Sequence, residues 1–257
     1  MSTIKRYDKD DSTSYALGAT LSIELLKARP DCVRRIYLHS KLNSAEIINT
    51  IESLADQASA AIDIETNDKA FRILSQKENC FVIAEFDKFD APIDGSAPHI
   101  VLVNPSNAGN LGTIIRSAVG FDLPDIAIIK PAADIFDPKT VRASMGSLFR
   151  LRFSHYDQFE DYISAHKDRP IYPFMLNRDS KDLREVDIPN TFSLVFGNEA
   201  TGLPKEFACI GTPVQIHHSD AIDSLNLPIA LSIGLYSATR SRDFSPHFFD
   251  VANEVQL

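Results

Sequence analysis

From residue 99 onward, short apolar runs alternate with helix-periodic stretches, and this alternation constrains the fold more than any other feature of the chain. Runs at 99–104, 126–130, 151–155, 171–176, 192–196 and 214–217 read as strands. Between and after them, 110–121, 139–148, 159–166, 204–209 and the second half of 220–240 read as helices. Strands joined by helices pair in parallel, and a parallel sheet is covered on both faces. Ligands of such sheets lie beyond the carboxyl ends of the strands. The loops that follow strands are therefore where chemistry is to be sought.

A second alternating unit precedes this one. Residues 14–28, 44–59 and 68–74 read as helices, and 35–38, 61–65 and 81–86 as strands. Residues 87–98 are rich in Pro, Asp and Gly and read as a linker, which divides the chain into domains 1–90 and 99–257. No apolar run is long enough for a transmembrane helix, and the opening MSTIKRYDKDDS lacks the apolar region of a signal peptide. Cys32, Cys80 and Cys209 form no CxxC pair, so reduced thiols in a cytoplasm are expected, each a small buried hydrophobe, with no structural zinc.

The net charge of −9 argues against a chain that coats nucleic acid indiscriminately. Local basic patches remain available for phosphates: Lys27, Arg29, Arg34 and Arg35 in the first unit, and Arg142, Arg150 and Arg152 in the second. His217 and His218 are adjacent, so on a strand they face opposite ways. His39, His99, His155, His166 and His247 have no ligand spacing, and no metal is expected.

Three loops are chemically loaded. The first, NPSNAGNLGTIIRSA, puts Asn110 at the mouth of a helix and Arg116 more than one turn inside it. The second, GNEATGLP, holds Glu199 between two glycines. In the third, Ser224, Leu225 and Asn226 stand where strand 214–217 hands over to a helix with Leu227, Ala230, Leu231, Gly234, Leu235 and Ala238 at three-to-four spacing. Pro228 falls in that helix's first turn, where a missing N–H costs nothing. Singly, each has an ordinary reading: an Asn-Gly turn, a solvent-facing arginine, a surface carboxylate, and Ser224 or Asp223 as an N-cap. Neither GxGxxG nor GxxxxGK[ST] is present, so a dinucleotide or nucleoside-triphosphate transferase has no support.

Taken together, NLGTIIRSA (110–118), LVFGNEATGLP (194–204) and SLN (224–226) before a helix resemble, in order and spacing, the three motifs of the SpoU/TrmH family. These are S-adenosylmethionine-dependent RNA ribose 2′-O-methyltransferases of the SPOUT superfamily. VRASMGSLF (141–149) resembles a further family segment. Residues 14–86 resemble, more loosely, the ribosomal-protein-like RNA-binding domain that many members carry in front. The resemblance implies an α/β fold: a C-terminal parallel-sheet SPOUT domain with a deep trefoil knot, preceded by that small α/β domain. It implies S-adenosyl-L-methionine as cofactor, held mainly by backbone groups at Gly197, Ile216 and Leu225. It implies structured RNA, ribosomal or transfer, as substrate. It also implies a homodimer with knot-side helices packed together and active sites at their interface.

The resemblance makes Asn110, Arg116, Glu199, Ser224 and Asn226 the catalytic positions. Methyl transfer to a ribose hydroxyl needs alignment, a proton acceptor and positive charge near the forming alkoxide. A guanidinium keeps its proton to above about pH 12, so Arg116 is expected as phosphate clamp and oxyanion stabiliser rather than base. Asn110 would orient Arg116 or the ribose, Glu199 would hold Arg116 in a bidentate pair, and Ser224 and Asn226 would position the ribose or the donor. Three positions depart from the family pattern: Phe121-Asp122 for Phe-Gly, His217-His218 for Pro-Met, and Asp220 for Gly in the donor loop. Asp220 is the best argument for the alternative, a knotted RNA-binding domain without turnover.

Overall fold

A computed structural model describes residues 4–75 and 79–242; the histidine at 247 and the tail 243–257 lie outside them. The first unit runs β1 (Thr13–Leu17), α1 (Ala19–Ala28), β2 (Val33–Leu38), α2 (Ala45–Asp56), β3 (Asp63–Thr66), α3 (Asp68–Leu74) and β4 (Val82–Asp87). Its sheet has the order β1-β4-β2-β3, antiparallel except for β2 with β3. The helix expected over 14–28 is thus a strand followed by a helix. The apolar run of β1 continues without a polar break into α1, so periodicity sees one element. Gly18, at φ 121°, turns the chain between them in a conformation closed to residues with a Cβ.

The second unit runs β5 (His99–Val103), α4 (Ala108–Gly120), β6 (Asp125–Ile129), α5 (Pro138–Ala143), β7 (Arg152–Tyr156), α6 (Phe159–Ala165), β8 (Ile171–Pro173), β9 (Lys181–Asp182), β10 (Ser193–Phe196), β11 (Val214–Gln215) and α7 (Leu227–Ala238). Five strands form an all-parallel sheet in the order β7-β6-β5-β10-β8, and β9 with β11 forms a small parallel pair beside it. Ile100, Leu102, Ile126, Ile128, Leu194 and Phe196 face one core, while Val101, Ala127, Ile129 and Val195 face another, as a sheet buried on both sides requires. The helix expected over 139–148 stops at Ala143, because Met145 takes φ 51° and the chain resumes as a 3₁₀ turn, Ser147–Arg150. The chain leaves β5 toward β6 and β7, then returns on the other side of β5 as β10 and β8. The sheet therefore reverses direction between β5 and β10, and the loops after these two strands diverge there.

Residues 88–98 belong to no named strand yet are tied down along their length. Ala91 bridges to Phe153, Asp94 N donates to the Asp125 carboxylate at 2.8 Å, and the Arg169 guanidinium donates to the carbonyls of Gly95 and Ala97. Around this segment the two sheets share one core: Phe86, Phe89, Phe136, Phe149 and Phe153 pack edge to face across the seam. Polar contacts cross the seam too. The Ser14 hydroxyl donates to the Phe136 carbonyl, Arg29 Nε donates to the Phe149 carbonyl, and Arg150 pairs with Glu24. Cys32 and Cys80 are buried as expected, but Cys209 is exposed, since it ends a 3₁₀ turn on the surface. No helix among the described residues is long and apolar enough to cross a membrane.

Asp125 is the hub of the seam. Only 1% of its side chain is exposed, and it accepts from Arg152 Nε at 2.7 Å as well as from Asp94 N. Removing a buried carboxylate strands its donors. Asp125→Ala is expected to lower the free energy of unfolding by about 2–3 kcal/mol, with little further loss when Arg152→Ala is added; urea titration of the two variants checks this.

Candidate active site

The loop that leaves β5 and the loop that leaves β10 are held together by side chains. Asn198 Nδ2 donates to the Asn104 carbonyl at 2.9 Å and to Ser106 Oγ at 3.2 Å, while its Oδ1 accepts from the N–H groups of Ala200 and Thr201. Asn104 itself takes φ 53°, a left-handed conformation that Asn tolerates, at the point where the strand must turn. Next to it the Glu199 carboxylate accepts from Ser106 N at 3.1 Å, Ser106 Oγ at 2.8 Å, Asn107 N at 3.1 Å and Asn110 Nδ2 at 3.3 Å. Asn107 is the N-cap of α4, its side chain accepting from Asn110 N.

Glu199 therefore binds the mouth of α4, where free N–H groups and the helix dipole favour a negative charge. Burial alone would raise its pKa; the bonds from Ser106 and Asn110 outweigh that and hold it below the ordinary carboxylate value. The expected Glu199–Arg116 pair does not form. Arg116 lies on the exposed stripe of α4 with Thr113 and Gly120, and among the described residues it has no hydrogen-bond or ion-pair partner. Nor does Asn110 orient Arg116; its amide is engaged by Glu199. Ser106, Asn107 and Asn198, which assemble this corner, were not singled out in the sequence. The Ser-Asn step before the helix carried an N-cap signal that was open to reading; nothing local marked Asn198.

Beyond this corner lies a cavity of about 410 Å³. Gly197, Ile216 and Leu225, the positions expected to hold the donor, all line it, and so do Glu199 and Ser224. Phe174 and Phe196, stacked at 4.3 Å, with Leu203, Leu225 and Leu227, make its apolar wall. Its polar lining comes from 197–202, Lys205, Gln215, Ile216, His218 and 224–225, in segments mostly outside helix and strand. A Cβ at Gly197 would collide with the backbone of Gly202 and Leu203, so the loop folds this tightly only on glycine. Asn226, Arg116 and Asn110 do not line the cavity.

The third loop also differs from expectation at its end. Helix α7 starts at Leu227, and its cap position is Asn226, whose side chain makes no capping bond; neither Asp223 nor Ser224 caps it. Ser224 and Asn226 are both exposed, with side chains free for a ligand. Of the two unusual histidines, His218 lines the cavity with Nδ1 2.8 Å from the Ile216 carbonyl, and His217 lies 3.4 Å from the Asp182 carboxylate. Arg184, which donates to both oxygens of Asp182, is the main reason that carboxyl is drawn down to about 2. Among the described residues no three His, Cys, Asp or Glu side chains gather as a metal site would require.

The sequence model of the SpoU rRNA Methylase family matches residues 97–236, more than half of the chain. The chain belongs to the SpoU rRNA Methylase family. This SpoU chain is 31% identical over 150 residues to the 23S rRNA (uridine(2479)-2′-O)-methyltransferase of Streptomyces viridochromogenes, a match covering 56% of this chain and 52% of that protein. It is 30% identical over 166 residues to the ribosomal RNA small subunit methyltransferase G 2 of Syntrophobacter fumaroxidans, covering 64% of this chain and 32% of the relative. The chain thus spans between a third and about half of the length of these curated relatives. The crystal structure of an AdoMet-bound rRNA methyltransferase from Sinorhizobium meliloti superposes with a TM-score of 0.76, at 26% identity, over 91% of this chain and 89% of that one. The SpoU match includes both loops that line the cavity and the α4 mouth clasped to them by Glu199, and the structural likeness extends through the first unit.

The Glu199 clasp has a pH signature. A carboxyl whose pKa is lowered on folding stabilises the fold above its unfolded value and loses that contribution as pH falls through the folded one. Glu199→Gln is therefore expected to cost about 1–2 kcal/mol near neutrality, an amount that shrinks in acid. Urea titrations of both proteins at a series of pH values check the convergence.

Proposed function

We propose that this chain transfers the methyl group of S-adenosylmethionine to a ribose 2′-hydroxyl of structured RNA, ribosomal or transfer. The observation that carries the reading is the meeting of Gly197 and Glu199, from the loop after β10, with Ile216, Ser224 and Leu225, from the segment between β11 and α7, around one cavity. The cavity suits the donor: stacked aromatic and leucine side chains offer a flat apolar face to a purine, and loop main chain offers bonds to the polar parts. The names of the Streptomyces viridochromogenes relative and of the Sinorhizobium meliloti structure support both the ribose 2′-oxygen and the donor.

S-adenosylmethionine supplies a methyl group on a positively charged sulfur. Gly197, Ile216 and Leu225 hold it through main-chain groups, and Ser224 and Asn226 position the acceptor ribose beside it. Arg116 would clamp the adjoining phosphate and stabilise the alkoxide whose proton passes to solvent water. Glu199 and Asn110 keep their places as the clasp that shapes the donor loop.

Arg116 reaches a cavity through a second copy of the chain. Helices α4 and α7 lie side by side, joined by Ser117 Oγ and Ser232 Oγ at 2.9 Å and by Phe121 against Tyr236. Arg116 is exposed on α4, and α7 presents an apolar stripe of Ile229, Ile233 and Tyr236, which are 54%, 38% and 69% exposed. Such a stripe is suited to burial against its own copy. In this reading the protein is a cytoplasmic homodimer with a knotted C-terminal segment, residues 1–90 help to grip RNA, and no metal takes part.

Arg116→Ala is expected to lower kcat by a factor on the order of 10²–10³ while the S-adenosylmethionine Kd, measured by calorimetry, stays within about two-fold. Loss of donor affinity with intact turnover would refute the assignment. Ile233→Asp is expected to sediment as a monomer without activity, and mixed Arg116→Ala and Ser224→Ala chains are expected to recover activity that neither shows alone.

A further inference from the structure

The basic residues expected from the sequence to meet RNA are almost all engaged elsewhere. Lys27 and Arg150 pair with Glu24, Arg34 with Asp87, Arg35 with Asp63, and Arg152 with Asp125. Arg29 lies over the Phe89 ring and donates to the Phe149 carbonyl. Arg142 is the exception. It lines a cleft of about 650 Å³ at the seam of the two units, together with Arg6, Arg72 and Lys139. Among the described residues none of these four cations has a carboxylate at salt-bridge distance. The carboxylate lining the cleft, Asp137, is occupied in capping α5 through Lys139 N at 2.7 Å. Asp68, near enough for Arg72 to influence it, is bonded to Ser40.

The tyrosines in the wall do not compete for the cations. Tyr7 donates its hydroxyl to Asp134, and Tyr15 donates to the Lys5 carbonyl at 3.0 Å. Among the described residues four exposed cations thus line one cleft, with Asp137 as the carboxylate beside them. An excess of positive charge around a concave surface raises the local concentration of anions. The cleft is fixed relative to the proposed centre, because α5 packs against α4 where Gly112 meets Ala143 and Thr140, and α4 carries Arg116.

We propose that this cleft holds backbone phosphates of the substrate RNA at a stretch outside the methylated nucleotide, so that both units grip one RNA whose ribose is presented at Arg116. The proposal rests on the RNA methyltransferase reading. The guanidinium and ammonium groups lining the cleft are the donors that phosphate contacts need.

The test uses the full chain and a fluorescein-labelled RNA hairpin, with anisotropy read across a range of KCl concentrations. The Arg72→Ala/Arg142→Ala variant is expected to bind at least about ten-fold more weakly, with the slope of log Kd against log salt reduced by about two. Arg72→Lys/Arg142→Lys is expected to retain most of the affinity. The control pair Lys41→Ala/Lys167→Ala, exposed cations outside the cleft, is expected to stay within about two-fold. The proposal is overturned if the wild type does not bind the hairpin, if the cleft variant binds as the wild type does, or if the control loses as much. Calorimetry with S-adenosylmethonine's own wild-type titration, run in parallel, separates the two readings: absent donor binding would sink the enzyme assignment, while the RNA titrations still judge the cleft. Unchanged donor affinity in the cleft variant establishes that it is folded.

Discussion

One carboxylate at the mouth of a helix organises this molecule. The loops after β5 and β10 diverge because the sheet reverses there, and divergent loops have no main-chain ladder to join them. Glu199 supplies the join, accepting four hydrogen bonds from Ser106, Asn107 and Asn110. The geometry is favourable twice over, since two main-chain N–H groups and two side-chain donors converge on the carboxylate and the dipole of the helix start favours an anion. A neutral side chain could accept fewer bonds and would meet a weaker field. The cavity wall from Gly197 to Leu203 follows from this anchor, because the segment runs directly through the anchored residue.

The second constraint is closeness of main chain. At Gly197 a side chain has no room, and the strand must turn within one residue against Gly202 and Leu203. The consequence is a tight loop, 197–203, that forms one wall of the pocket. His217 and Asp220 stand outside the cavity lining and His218 within it, while Ile216 and Leu225 still line the cavity. His217 even finds a partner in Asp182, which links the loop to the small β9–β11 pair.

What the sequence made legible divides along physical lines. The strands of the five-stranded sheet are continuous apolar runs legible in the sequence, whereas the two-residue, polar β9 has no such run, and β8 and β11 end two or three residues before the runs read as strands do. Strand β1 could not, because its apolar run flows into α1 and the break depends on the backbone angle of Gly18. Helix α5 is shorter than its periodicity suggests because Met145 adopts a left-handed conformation that no pattern announces. At the site, motifs marked Gly197, Ile216, Leu225, Glu199 and Ser224, yet the partner of Glu199 was misjudged. Opposite charges suggested Arg116, whereas the fold offered Glu199 several N–H donors at once. Residues 88–98 read as linker by composition, and their anchoring by Asp125 and Arg169 is a tertiary fact without a local signature.

The isolation of Arg116 has its own logic. In a chain of net charge −9 most basic side chains near the seam find carboxylates, and each pair holds two surfaces together. A guanidinium already paired must give up that partner before it can meet a phosphate, and the released carboxylate then repels the newcomer. Arg116 and the four cations of the seam cleft carry neither cost. Glu199, the nearest plausible competitor by sequence, is removed from contention by its four hydrogen bonds. The same carboxylate that shapes the pocket therefore leaves the arginine further along α4 unpaired among the described residues.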